Sequence, residues 1–265
     1  MNAALGPTRL RLTRAIAPLV FGLIVLVAWQ SGLFHKLLGL EEYTLAYPND
    51  ILQAVMTDSD SLLRDVRVTL VEALAGLAVG STLGFVMALV IHAIPLAQRA
   101  ALPLVSSLAA MPVIALAPLM FLYFGRGMLS KIAVIVIMTA PPMTVATFKG
   151  VSSVDEDLEN LLFSYAANRG DFLGRLRLPW ALPFVFTALK LNVTLSLIGA
   201  IIAEFFASDA GLGSRMSYAL DTFDMPAAWG TMLLAALLGI VCYQVVSLIE
   251  RKAVPWHVSI RERAT

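Results

Sequence analysis

Six stretches of this chain are long, apolar and nearly free of charge, and that repetition limits the fold more than any other feature. They fall at about residues 16–34, 68–92, 100–124, 130–148, 184–207 and 230–249. A helix rises about 1.5 Å per residue and the hydrocarbon core of a bilayer is ~30 Å thick, so ~20 apolar residues make one crossing. Lipid offers no partner to a backbone N–H or C=O, so each crossing is expected to be helical. Composition agrees: 59% of the residues are hydrophobic and 14% charged, with mean hydropathy +0.82, where a soluble domain carries roughly 25% charged residues. The expected fold class is all-α, a polytopic membrane helical bundle of about six transmembrane helices.

Arg9, Arg11 and Arg14 precede the first run. The charge is that of a signal peptide, but the run is too long and no small-residue cleavage site follows, so it reads as a retained span. Placing the N-terminus in the cytoplasm puts 12 Lys and Arg residues on inner segments and 6 on outer ones (Lys36, Arg64, Arg67, Arg126, Lys131 and Arg215). Both termini are therefore expected inside. Lys190 starts the fifth run, and its stem can snorkel to the inner interface or hold an ion pair. Pro103, Pro112 and Pro118 dot the third run, which is expected to kink or break.

Net charge is +1 and there is one cysteine, Cys242. No global field points to nucleic acid, and neither a disulfide framework nor a cysteine zinc site is available. His35, His92 and His257 are far apart and suggest no metal site. A first region, 1–65, holds the tail, the first span and an outer segment in which Tyr47-Pro48-Asn49-Asp50 predicts a turn and a short amphipathic helix. A core, 66–250, contains a polar inner loop, 149–183; residues 251–265 form a cytoplasmic tail. The loop is too long for a simple connection and reads as two short helices, with Asp155, Glu156 and Asp157 opening the first, Gly170 punctuating, and Leu178-Pro179 with Pro183 restricting the chain before the next span. Gly76, Gly80 and Gly84 share one helix face and permit close packing.

The loop also carries a resemblance. Asn160-Leu161-Leu162, Ala166, Leu176 and Leu178-Pro179 fall where the EAA loop of binding-protein-dependent ABC importer permeases has E-A-A, G, I and L-P, with Ala167 and Gly170 between; the ending fits, while the glutamate and glycine are replaced. Pro112 to Leu119, Tyr123-Phe124-Gly125, Ser130-Lys131-Ile132, Thr147 to Gly150, Gly199 to Glu204 and Gly211-Leu212-Gly213 are similar to the permeases of nitrate, sulfonate, taurine and thiamine-precursor importers, over about residues 45–257.

The resemblance implies a type I ABC importer permease fold in the bacterial inner membrane. Its implied partners are two ATP-binding subunits, a second permease copy expected to be identical, an extracytoplasmic substrate-binding protein and membrane lipid. The loop residues named above would couple to the ATPase. The chain has no G-x-x-x-x-G-K-[ST], so ATP and Mg are expected on the partner, with no cofactor and no catalytic residue here. Glu204, Met111, Pro112 and Met120 are the candidates for the translocation path. An ionisable residue inside a span faces a cavity or a partner, and Glu204 either lines the path or bonds a neighbouring helix near the outer end. The methionines, with Met128, offer a soft substrate surface or simple packing. The substrate is expected to be a small nutrient, such as a vitamin precursor or another heterocycle. A secondary transporter is the alternative, although no repeated halves are visible; a membrane enzyme lacks a His, Asp or Glu constellation.

Overall fold

The computed structural model describes residues 7–41 and 43–256, with only the main chain described for 7–16, Ala97 and Ala207. His257, Arg261 and Arg263 lie outside the described residues, as do the side chains of Arg9, Arg11 and Arg14. Twelve α-helices follow one another among the described residues: α1 (Pro7–Gln30), α2 (Leu33–Leu38), α3 (Pro48–Thr57), α4 (Ser59–Ala93), α5 (Pro95–Leu108), α6 (Val113–Phe124), α7 (Met128–Ser152), α8 (Glu156–Ser164), α9 (Arg169–Asp171), α10 (Leu178–Ala207), α11 (Leu212–Asp221) and α12 (Met225–Ala253), with a π-turn at Phe172–Arg177 leading into α10.

The apolar runs become helices, with different ends. Among the described residues, four helices are long and apolar enough to cross a membrane: α4, α7, the continuous helix through α10, and α12. The third run is α5 and α6, bent by 95°. Three prolines were candidates for that bend, and it falls at Pro112, which stands extended at φ −69°, ψ 108° before α6. A proline drives the residue before it out of the helical region, so Met111 and Pro112 form the corner, while Pro103 and Pro118 lie inside helices. The first run belongs to α1, whose described apolar part is Ala17–Gln30; Gly32, at φ 73°, separates it from α2. The amphipathic helix expected after Tyr47 is α3, with proline at its start.

The inner loop departs from expectation at its second half. Pro179 does not stop the helix there. It follows the wider π-turn directly, inside a helix that continues through it, and leaves that helix one N–H short. The Leu178 N–H bonds the Leu173 carbonyl across the wider π-turn, so α9, the turn and α10 run on as one rod from Arg169 to Phe206. One short helix, α8, stands free, where two were expected.

Helices α4, α7 and α10 form the centre. A Cβ on Gly76 would lie 2.5 Å from the Ile135 Cβ, one on Gly80 2.0 Å from the Thr139 hydroxyl, and one on Gly84 2.4 Å from the Ala140 carbonyl. The glycine face of α4 therefore lets α7 approach backbone to backbone. Ile135, Ala73, Leu197 and Ala200 fill the space between the three helices, and Cys242 of α12 packs on them. Asn192 of α10, fully buried, donates to the Ser81 hydroxyl (3.1 Å) and the Thr139 carbonyl (2.8 Å). Those bonds tie all three helices near Pro141 and Pro142, where α7 lacks backbone donors. Helix α12 faces outward and buries little of its apolar length.

Candidate functional site

The inner loop begins with a well-made helix. Asp155 caps α8 by accepting the Asp157 N–H at 3.0 Å, and Glu156, Asp157 and Glu159 lie in the first turn, where the helix dipole favours acids. The helix buries none of its residues. Leu161, Phe163 and Tyr165 stand exposed, the two rings at 77% and 78%, an apolar knob on an otherwise polar loop.

Ala166 ends α8 in the left-handed region, at φ 52°. Its N–H bonds the Phe163 carbonyl (2.9 Å), and the Ala167 N–H reaches back to Leu162 (3.2 Å). This pair of bonds is the glycine-type helix ending, at the position aligned with the EAA glycine. Asn168 then starts α9 with a reciprocal cap to Asp171 (3.0 and 3.2 Å). Gly170 is exposed in α9, Asn160 and Leu162 are on α8, Leu176 is in the π-turn, and Leu178 and Pro179 open α10. These residues are brought to one end of the bundle.

At the opposite end, Glu204 is fully buried. The Thr69 hydroxyl donates to its two carboxylate oxygens (2.7 and 3.0 Å), and the Gly213 N–H donates to one of them (2.7 Å). The Leu212 N–H donates to Thr69 (2.9 Å) and the Gly211 N–H to Asp65 (3.0 Å). The carboxyl group thus seats the start of α11 by accepting one of the N–H groups that a helix N-terminus leaves free. Side chains at the flanking glycines would collide: a Cβ on Gly211, at φ +102°, would lie 2.3 Å from the Glu204 carboxyl, and one on Gly213 2.1 Å from the Ile201 carbonyl. Beside this corner Lys131, though counted among outer loop charges from sequence, is buried, bonding Glu72 (2.5 Å) and Ser208 (2.8 Å). Arg215 closes the end with bonds to Asp58, Asp65 and Ser61. Its guanidinium, then the Ser61 hydroxyl, holds the Asp58 carboxyl below the usual carboxylate range.

Between the two ends, the α5–α6 corner borders a cavity of about 170 Å³ lined by Met111, Val113, Met138, Pro142 and Leu195 among others. Met120 packs instead against buried Ala117, Val134 and Ala203. Glu204 and Met111 are not brought together by any contact described. No group of three His, Cys, Asp or Glu residues able to hold a metal occurs among the described residues. Thr69, Glu72, His92 and Glu159 carry no local sequence signal of a role; each is defined by a partner on another element.

An all-helical membrane bundle with a polar loop at one end and a buried carboxyl corner at the other matches a known design, and residues 80–256 fit the family described as "Binding-protein-dependent transport system inner membrane component". The chain belongs to that family. This permease is 32% identical over 245 residues to a formylaminopyrimidine transport permease of Halalkalibacterium halodurans, covering 92% of this chain and 97% of that one. It is 30% identical to a riboflavin transport system permease of Chloroflexus aurantiacus, covering 89% and 88%. Among solved structures, an amino acid ABC transporter matches with TM-score 0.63 at 14% identity over 76% of this chain and 97% of that one. The inward-facing methionine transporter MetNI matches with TM-score 0.56 at 17% identity over 69% and 93%. These last two likenesses speak for the fold, which is that of ABC importer permeases. The permease component itself is not the catalytic part of such a system.

Proposed function

We propose that this permease forms the membrane path of a bacterial inner-membrane importer for a small heterocyclic nutrient of the pyrimidine or flavin kind, delivered by an extracytoplasmic binding protein and driven by two ATPase subunits that hold ATP and Mg. The observation that carries the reading is α8: a capped helix that buries nothing, presents Leu161, Phe163 and Tyr165, and ends at a left-handed Ala166. An exposed aromatic knob on a polar loop suits insertion into a groove of a soluble partner. The charge bias puts this loop and both termini in the cytoplasm. A second, identical chain completes the path, with Met111 and Pro112 at its turning point, Met120 in its wall and Glu204 holding the outer corner in shape. The substrate class follows the two relatives, which are named for formylaminopyrimidine and riboflavin transport.

The test is affinity purification of the tagged chain from native membranes in mild detergent, with mass spectrometry of stoichiometric partners. An ATP-binding subunit should co-purify and be lost in Ala166→Asp or Gly170→Asp, and cells should take up labelled formylaminopyrimidine or riboflavin in an ATP-dependent way. A chain that purifies alone yet accumulates solute on an ion gradient would overturn the proposal.

A further inference from the structure

Helix α8 hangs on the bundle by a single polar link. Among the described hydrogen bonds and ion pairs, only Glu159 joins an α8 side chain to another element: its Oε1 accepts from Arg177 Nε at 3.2 Å and Nη2 at 2.9 Å. The third guanidinium nitrogen, Nη1, meets His92 Nε2 at the inner end of α4. A guanidinium only donates, so Nε2 accepts, the imidazole proton sits on Nδ1, and Nδ1 donates to the Ser152 hydroxyl at the end of α7 (3.2 Å). The His92 ring lies edge-on to Phe148 of α7 (6.1 Å), and the His92 carbonyl accepts from Gln98 of α5 (3.1 Å). One arginine side chain therefore gathers α8, α4 and, through His92, α5 and α7.

The backbone places Arg177 for this task. It is the last residue of the π-turn, and a π-turn shifts the phase of a helix by one residue, roughly 100°. Its neighbour Arg175 points away, with a side chain 82% exposed and paired only along its own helix to Asp171; the Arg177 side chain is 27% exposed.

We propose that Arg177 is the positioning residue that transmits movement of the inner loop to the spans, a clamp between α8 and the inner ends of α4 and α7. This rests on the importer reading above, in which the ATPase pushes on α8. With the clamp closed, a displaced α8 drags Glu159, Arg177 and His92 together. With it open, α8 swings on its chain connections and the spans do not follow.

The experiment uses the full chain with its ATPase in liposomes, on a Cys242→Ser background carrying Met111→Cys at the α5–α6 corner as a maleimide probe. ATP with vanadate should change the labelling rate of the otherwise unaltered chain by about tenfold, within the range of coupling between distant sites. In Arg177→Gln and in His92→Leu the ATPase should stay bound at full stoichiometry and still hydrolyse ATP, while the change in labelling falls below about twofold. Glu159→Gln should show the same loss, and because α8 buries no residue this variant answers for any failure of the other two to fold. Arg177→Lys, which keeps the charge but not the fork, should fall between. Variants that respond like the unaltered chain, or that shed the ATPase altogether, would overturn the clamp. An unaltered chain that binds no ATPase would instead sink the importer reading, and the two failures are thereby told apart.

Discussion

Replacing Ala166 by glycine should tighten the end of α8. At φ 52° the alanine Cβ crowds its own backbone, which costs about 1–2 kcal/mol in the left-handed region. Glycine removes that cost but loses about 0.5–1 kcal/mol more chain entropy on ordering. The difference leaves roughly 0.5–1 kcal/mol in favour of glycine, or about a two- to fivefold rise in the closed population. Valine, branched at Cβ, should move the equilibrium the other way. Hydrogen exchange is the suitable assay, because the amides of Tyr165, Ala166 and Ala167 bond back to Leu162 and Phe163 and exchange through local opening. Ala166→Gly should slow these three amides by the factor above and leave the spans unchanged, and Ala166→Val should speed them. Equal rates in the three proteins would refute the link between the left-handed angle and the loop's stability.

Two further substitutions test the packing and the outer corner. Gly80→Ala would place a methyl 2.0 Å from the Thr139 hydroxyl and 3.1 Å from the Val136 backbone; it should lower the melting temperature in detergent through about 2–3 kcal/mol of overpacking. Gly22→Ala, with nothing within 4 Å, should not, and an equal drop in both would show that crowding is not the cause. Glu204→Ala removes the carboxyl group that accepts from the Thr69 hydroxyl and the Gly213 N–H and leaves both buried donors without that acceptor. That should cost about 1.5–3 kcal/mol and expose residues 208–213 to exchange and proteolysis, whereas protection equal to the parent would refute the seating role.

What the sequence revealed, and what it hid, divides along one physical line. Hydropathy reports where lipid must be faced, so the cores of the spans were legible. It is blind to helix continued in polar sequence, so α4 was read from residue 68 although it begins at Ser59. Proline marked the corner at Pro112, but Pro179 does not interrupt its helix: the π-turn bond from the Leu178 N–H to the Leu173 carbonyl carries the rod up to the proline, which itself donates nothing. Counting back from Leu178-Pro179 put Ala166 at the glycine position, and the structure gives that residue the glycine angle. Partners had no such signal. Thr69 and Glu204 are 135 residues apart, and His92 and Arg177 are 85 apart; nothing local distinguishes them. Lys131 read as an outer surface charge because burial beside Glu72 is a property of the packed helices alone.

The placement of polar contacts separates the bundle into a fastened part and an adjustable one. Helices α4, α7 and α10 share bonds at the outer end (Glu204 to Thr69, Lys131 to Glu72), in the middle (Asn192 to Ser81 and Thr139) and at the inner end (His92 to Ser152 and Arg177). Inside a membrane a separated charge has no water to fall back on, so breaking Lys131 from Glu72 leaves an ion stranded, and sliding α7 along α4 also drives Thr139 or Ala140 into the space at Gly80 and Gly84. Either displacement meets a steep cost, so the three helices move together or not at all. Helix α12 differs. It presents almost its whole membrane face outward and meets the trio through apolar side chains such as Cys242 and Val246, with one ion pair, Lys190 to Glu250 at 2.8 Å, at its inner end. Apolar contacts in lipid have weak registry, because the displaced surface meets hydrocarbon again. Rearrangement of this permease should therefore appear as α12 and the α5–α6 corner shifting around an intact α4–α7–α10 unit, pivoting where Lys190 and Arg177 hold the inner end.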